Sequence, residues 1–145
     1  MTSVVFRADA SPEIGAGHVM RCLALAKVLT GLGCNSVFAV SPETPATVPA
    51  LERAGHEIQI VDAFAEDLVK TLTRRFTDPV DWMVIDHYEI DAGTESMFRS
   101  LARNIMVIDD LADRPHDCDL LLDQGPGRDS DDYAGLVPAH ADVLA

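Results

Sequence analysis

The chain has 145 residues, of which 48% are hydrophobic and 24% are charged, a composition typical of one globular domain. Its 24 acidic and 11 basic residues give a formal net charge of −13. This acidity disfavours nucleic acid and anionic membranes as partners, since both attract Lys and Arg through their phosphates. Three scattered cysteines indicate reduced thiols. With neither a signal peptide nor an apolar run of membrane-spanning length, a cytoplasmic location is expected.

Short apolar runs alternate with helical patterns along the chain. In chain order they predict strand 3–8, helix 19–30, strand 35–40, helix 46–54, strand 57–61, helix 66–76, strand 81–86, helix 92–102, strand 104–109 and strand 119–123. The remainder, residues 124–145, is polar and irregular, although its apolar ending could begin another element.

Strands that alternate with helices indicate parallel βαβ units, and right-handed crossovers place the helices on both faces of the sheet. The strands are continuously apolar, as expected when both faces are buried. We therefore predict a doubly wound α/β fold, with a mostly parallel, Rossmann-like sheet formed by residues 1–145 as one domain. Ligands of such sheets bind outside the carboxyl ends of the strands, near the switch in strand order.

The segment Gly15-Ala16-Gly17-His18 links the first strand to the first helix. Its glycines allow a ligand to approach the backbone, and a helix N-terminus presents unpaired N–H groups and a positive partial charge. Met20 replaces the third glycine of a dinucleotide fingerprint, and the Lys-Ser/Thr of a P-loop is missing. Two interpretations stay open: a tight turn that needs glycine, or an anion or sugar site built from backbone N–H groups.

His18 lies in the first turn of this helix, where it could cap the helix, pack against the loop, or act on water as a general base or positioning group. The positive helix end would keep its imidazole neutral, as a base requires. Arg21 follows one turn later and is either a phosphate ligand or a solvated arginine.

Several polar residues follow the predicted strands. His18, Tyr88 and Asp110 are expected to face one crevice, because the carboxyl ends of parallel strands share one edge of the sheet. Tyr88 would offer its hydroxyl to a substrate while its ring packs, unless it is an ordinary half-buried tyrosine. Asp86 is expected to accept hydrogen bonds from N–H groups of the loop.

Metal sites are disfavoured by the spacing of the candidate ligands. Asp109 and Asp110 could bind Mg²⁺, but capping of the next loop is the commoner role of such a pair. His18 with Cys22, and His116 with its neighbouring cysteine, fall short of the dense pattern of a zinc site. We predict no metal and no cofactor, with Cys22 packed in the core.

Three groups of segments, taken in order, resemble one known family. They are residues 7–11 leading into 14–23, residues 84–88, and residues 108–116 followed by 118–124 and 132–138. Together they resemble the PseG/SpsG family, the UDP-2,4-diacetamido-2,4,6-trideoxy-β-L-altropyranose hydrolases of pseudaminic acid biosynthesis and their spore-coat-polysaccharide relatives. The resemblance spans nearly the whole chain.

The resemblance implies a GT-B-like protein of two Rossmann-like halves, with this chain as the N-terminal half and the active cleft between them. It implies metal-independent release of UDP from the nucleotide sugar by water, with C–O cleavage and inversion. His18 would orient or deprotonate that water, and Tyr88 would contact the water or the sugar. Gly15 and Gly17 would let the loop pass close to the sugar and the diphosphate. Arg21, Asp9 and His87 are the further candidates for substrate binding.

Family members continue for about as many residues again. The C-terminal nucleotide-binding domain is therefore the expected partner of this chain, and the 145 residues alone are expected to fold but to bind UDP poorly and to be nearly inactive. Two alternatives remain: a MurG-like GT-B glycosyltransferase that uses a UDP-sugar donor, and a non-catalytic domain that binds nucleotide sugars.

Overall fold

A computed structural model describes residues 1–62 and 65–145. Its strands are β1 (Ser3–Ala8), β2 (Asn35–Val40), β3 (Glu57–Ile60), β4 (Val80–Asp86), β5 (Ala102–Ile108), β6 (Leu120–Leu122) and β7 (Asp142–Leu144). Its helices are α1 (Gly17–Gly31), α2 (Thr44–Thr47), α3 (Pro49–Arg53), α4 (Ala65–Arg75) and α5 (Ala92–Met97), with 3₁₀ turns at Phe98–Ser100 and Ser130–Tyr133. Among the described residues, no helix has the length and apolarity that crossing a membrane needs.

All the described strands form one parallel sheet in the order β3-β2-β1-β4-β5-β6-β7. The chain runs outward from β1 to β3 and then returns to β4 on the other side of β1. The strand order therefore switches between β1 and β4, where Ala8 lies opposite Asp86. This confirms the predicted doubly wound, Rossmann-like fold. Sheets of this kind bind ligands beside such a switch, which here lies at the carboxyl ends of β1 and β4.

Two apolar clusters cover the two faces of the sheet. One packs Val84 and its neighbours beneath α1, where Cys22 is fully buried as predicted. The other packs Ile85 and its neighbours beneath α4 and α5. Successive residues of a strand point to opposite faces of the sheet. Asp86 therefore lies on the same face as Val84, which α1 covers, and His87 lies on the same face as Ile85, which α4 and α5 cover.

Three predicted elements differ from the structure. The helix expected at 46–54 is two short helices that break at Val48, whose backbone is extended because Pro49 follows it. The helix expected at 92–102 ends at Met97, and β5 takes over at Ala102, where pairing with Val80 begins. The segment expected to be irregular contains β7, a strand too short to show a period of its own.

Candidate active site

The loop between β1 and α1 leaves the start of α1 open. Gly15 has a φ of +83°, and its N–H donates a hydrogen bond of 2.7 Å to the carbonyl of Ser11. No side chain caps the N-terminus of α1, and its first turn contains no acidic residue. A Cβ on Gly17 would meet no atom within 4 Å. The first N–H groups of α1 therefore have no side-chain cap, and such uncapped groups are the ones that can bind an anion.

The two glycines of this loop are expected to respond differently to alanine. Gly15→Ala should lower the free energy of unfolding by about 1–2 kcal/mol, because an L side chain is strained at positive φ. Gly17→Ala is the matched control: its φ lies outside the left-handed region and its Cβ meets nothing, so stability should stay equal or rise. Urea denaturation of both variants measures the difference, and equal losses would contradict this account.

His18 and Asp86 form a buried pair at this N-terminus. Asp86 is fully buried at the end of β4, and its Oδ1 lies 2.6 Å from Nδ1 of His18, a residue that is 8% exposed. A carboxylate can only accept, so Nδ1 carries the proton and donates it. His18 lines a cavity of about 290 Å³, and no described residue hydrogen-bonds to its Nε2. This tautomer leaves Nε2 as a proton acceptor, the state that a general base needs.

Arg21 binds the other side of Asp86. Its Nε and Nη2 both donate to that carboxylate, the latter over 2.7 Å, and its Nη1 lies 3.4 Å from Asp110. The hydrogen bond to Asp86 raises the pKa of Arg21 above its usual range. The expectation that Asp86 accepts loop N–H groups is wrong, because β4 ends beside α1 and brings His18 and Arg21 to both of its oxygens.

Tyr88 packs against His18. The two rings meet edge to face with their centroids 4.6 Å apart, and the Tyr88 hydroxyl donates a hydrogen bond of 2.7 Å to Asp110. That hydrogen bond raises the pKa of Tyr88 to about 12. Tyr88 remains 42% exposed. His18, Tyr88 and Asp110 thus lie together, as predicted, and their part in a substrate site stays a prediction.

Asp9 and His87 also line the cavity beside His18. Asp9 accepts hydrogen bonds from Nη2 of Arg7 (2.9 Å), the N–H of Ser41 (2.8 Å) and Nε2 of His87 (2.9 Å). Burial raises the pKa of Asp9, but the hydrogen bonds from His87 and Arg7 outweigh it and hold that pKa well below its usual range. The N–H of Glu89 donates to Nδ1 of His87. Protein partners thus occupy both groups, and their contact with substrate stays a prediction.

A buried charged cluster braces the loop that carries Asp110. His116 lies between Glu95 (2.8 Å) and Asp109 (3.2 Å), and neither its side chain nor those of the two carboxylates is exposed. Arg114 adds a second cation 3.4 Å from Asp109. Asp109 also accepts from N–H groups of the next loop, as predicted. Glu95 was not predicted to belong to any site, because nothing in the sequence links it to a histidine 21 residues away.

Within residues 1–62 and 65–145, no three His, Cys, Asp or Glu side chains gather as a metal site would require. The side chains considered above as metal ligands have other partners. His18 and His116 hydrogen-bond to carboxylates, and burial raises the pKa of the Cys118 thiol to about 12, so that it stays protonated and binds metal poorly.

Fold and crevice together define a Rossmann-like α/β domain of the kind that forms the N-terminal half of GT-B proteins. A solved structure with this fold is the crystal structure of Acinetobacter baumannii MurG, with a TM-score of 0.67 and 15% sequence identity. The similarity covers 99% of this chain and 44% of that one.

The sequence is similar to a curated protein of Campylobacter jejuni subsp. jejuni serotype O:2, the UDP-2,4-diacetamido-2,4,6-trideoxy-β-L-altropyranose hydrolase. The two are 29% identical over 141 residues, which is 97% of this chain. The chain spans about half the length of that relative, 48%. No family model matches the chain. The predicted resemblance is confirmed: the chain is similar to this hydrolase over nearly its whole length.

Proposed function

We propose that this chain is the N-terminal half of an enzyme that hydrolyses UDP-2,4-diacetamido-2,4,6-trideoxy-β-L-altropyranose in pseudaminic acid or surface polysaccharide biosynthesis. The observation that carries the proposal is the Asp86–His18 pair, which presents Nε2 as a proton acceptor in a cavity beside the open N-terminus of α1. Similarity to a hydrolase of that nucleotide sugar supports the choice of substrate.

In this mechanism His18 acts on water. Its Nε2 takes a proton from water while the water oxygen attacks the anomeric carbon. The bond between that carbon and the phosphate oxygen breaks, its electron pair leaves with UDP, and the configuration at the carbon inverts. Asp86 holds the Nδ1–H and stabilises the imidazolium that forms. Arg21, Asp86 and Asp110 together carry one net negative charge. The proton that His18 takes from water neutralises that charge.

The remaining candidates bind and position the substrate. The loop at Gly15 and Gly17, with the open N–H groups of α1, stabilises the negative charge on the departing diphosphate. The Tyr88 hydroxyl donates to Asp110, so its oxygen accepts a hydrogen bond from the sugar or from water. Arg21 positions Asp86. Asp9 and His87 form the wall against which the sugar ring lies.

We propose that the enzyme has a second domain beyond this chain. The hydrolase of C. jejuni is about twice as long as the matched region, which supports a two-domain arrangement. We assign most uridine and diphosphate contacts to that domain, because the described crevice has no free cation: Arg7 and Arg21 are both paired with carboxylates. The 145 residues alone should therefore bind UDP poorly and turn over slowly.

Replacing His18 by Asn in the full-length protein is expected to lower the rate of UDP release by about 10²–10⁴-fold, the usual contribution of a positioned general base. UDP affinity should change less than twofold, because the change removes the base and leaves the backbone donors in place. A coupled assay of UDP release and calorimetric titration with UDP measure the two effects. His140→Asn, a change of an exposed histidine outside the crevice, is the control.

The same assay distinguishes the alternatives. UDP release that proceeds with water alone supports the hydrolase, whereas release that requires an added acceptor sugar supports a MurG-like transferase. Binding of the UDP-sugar without any turnover supports the non-catalytic domain. Full activity of His18→Asn would overturn the assignment of the base.

A further inference from the structure

A second cavity adjoins the one beside His18. We call it the side chamber; its volume is about 370 Å³, and it lies towards α4 and α5. Asp9, Ile14, His87 and Glu89 line both cavities, so the two lie directly beside each other. The mechanism proposed above uses no group that belongs to the side chamber alone.

The lining of the side chamber is half apolar and half polar. Leu68, Ile90 and Phe98, all buried members of the core beneath α4 and α5, form its apolar side. Thr94 contributes a hydroxyl that bonds to no described residue. Arg7 also lines the chamber, but its Nε–H, which has no acceptor in the described part of the chain, is itself buried. The chamber therefore offers apolar contact together with the Thr94 hydroxyl as a hydrogen-bond donor.

The charge of the chamber lining disfavours an anionic ligand. The carboxylates of Asp9, Glu43 and Glu89 line the chamber, and the one guanidinium among its described lining residues is already paired with Asp9. A phosphate or carboxylate would meet uncompensated negative charge here. The occupant should be neutral, with a small apolar end, a carbonyl to accept from Thr94, and an N–H to donate to a carboxylate.

We infer that the side chamber binds an N-acylamino substituent of the sugar and so determines substrate specificity. The inference rests on the proposed function, which places the anomeric carbon at His18 and the rest of the ring beside the residues that line both cavities. An N-acetyl group meets each requirement, with its methyl on the apolar side and its amide at the polar side. The chamber is larger than an acetyl group, so longer N-acyl chains should also be accepted.

The test compares two nucleotide sugars that differ in this substituent alone, UDP-N-acetylglucosamine and UDP-glucose, as ligands of the full-length protein. The wild type is expected to bind the N-acetylated sugar about tenfold more tightly or better, the scale of discrimination by a pocket that accepts a small group. Thr94→Phe fills the chamber and should bring the affinity ratio close to one, with the affinity for UDP unchanged. Met97→Phe, on the exposed side of the same helix, is the matched control and should keep the wild-type ratio.

A ratio near one in the wild type, or a ratio that Thr94→Phe does not change, overturns the inference. Titration measures binding and needs no turnover. Absence of UDP release would therefore overturn the proposed function, whereas the ratio of the two affinities would still test the side-chamber inference. If Thr94→Phe does not fold, an NMR measurement on the wild type alone still tests the inference. The fluorine signal of bound UDP-N-trifluoroacetylglucosamine should be shielded from a soluble paramagnetic reagent, and full access of the reagent would also overturn the inference.

Discussion

Asp86→Asn in the full-length protein is expected to slow UDP release by about 10⁴-fold, the loss that the equivalent change causes in serine proteases. Asn would donate its amide N–H to Nδ1 of His18, which moves the imidazole proton to Nε2. The ring then keeps its position but has no lone pair to accept a proton from water. Nitrogen-15 NMR of the imidazole should show this change of tautomer directly, alongside the assay of UDP release.

The matched control for Asp86 stands on the same strand. Asp81 lies near the start of β4, at the opposite edge of the sheet, where it accepts hydrogen bonds from Ser3. Asp81→Asn should release UDP at the wild-type rate. A purely structural role of Asp86 would instead lower the folded fraction of Asp86→Asn and leave the tautomer and the rate per folded molecule unchanged, which would contradict the assignment.

The second large effect concerns stability. His116→Gln is expected to lower the free energy of unfolding by about 3 kcal/mol at pH 6, because it removes the cation between two buried carboxylates. Burial lowers the pKa of His116, but the hydrogen bonds to Asp109 and Glu95 outweigh it and raise that pKa to about 9. At pH 6 the wild-type side chain is therefore charged and the cluster is intact.

The pH dependence identifies the cause of this loss. The pKa of His116 is raised in the folded protein, so its contribution is complete below its ordinary value of 6.5 and is lost as the pH rises towards about 9. The stability difference between wild type and His116→Gln should therefore shrink across that interval. Urea denaturation at several pH values measures it. His140→Gln, at an exposed histidine, should show a small difference at pH 6. A constant difference for His116→Gln would contradict this account.

Much of the fold was predictable because its signals are local. Continuous apolar runs such as Val84-Ile85 mark strands buried on both faces, and Gly33 ends the first helix with the positive φ that favours glycine. The alternation of strands and helices then dictates a parallel sheet, and such a sheet has its crevice at the carboxyl ends of the strands. The sequence was therefore sufficient to predict that His18, Tyr88 and Asp110 lie together.

The tertiary structure alone decided which groups pair across that crevice. The partner of Asp86 depends on the register that sets β4 against β1 and on the rotation of α1, and neither leaves a pattern in the sequence. The same holds for Glu95, which lies on an apparently polar helix yet is fully buried against His116. The periodicity of apolar residues indicates which face of a helix or strand a residue lies on. Hydrogen bonding between residues far apart in sequence depends on distances that only the packed chain determines. The sequence by itself therefore determined the fold class and the histidine at the start of α1, and packing determined its tautomer.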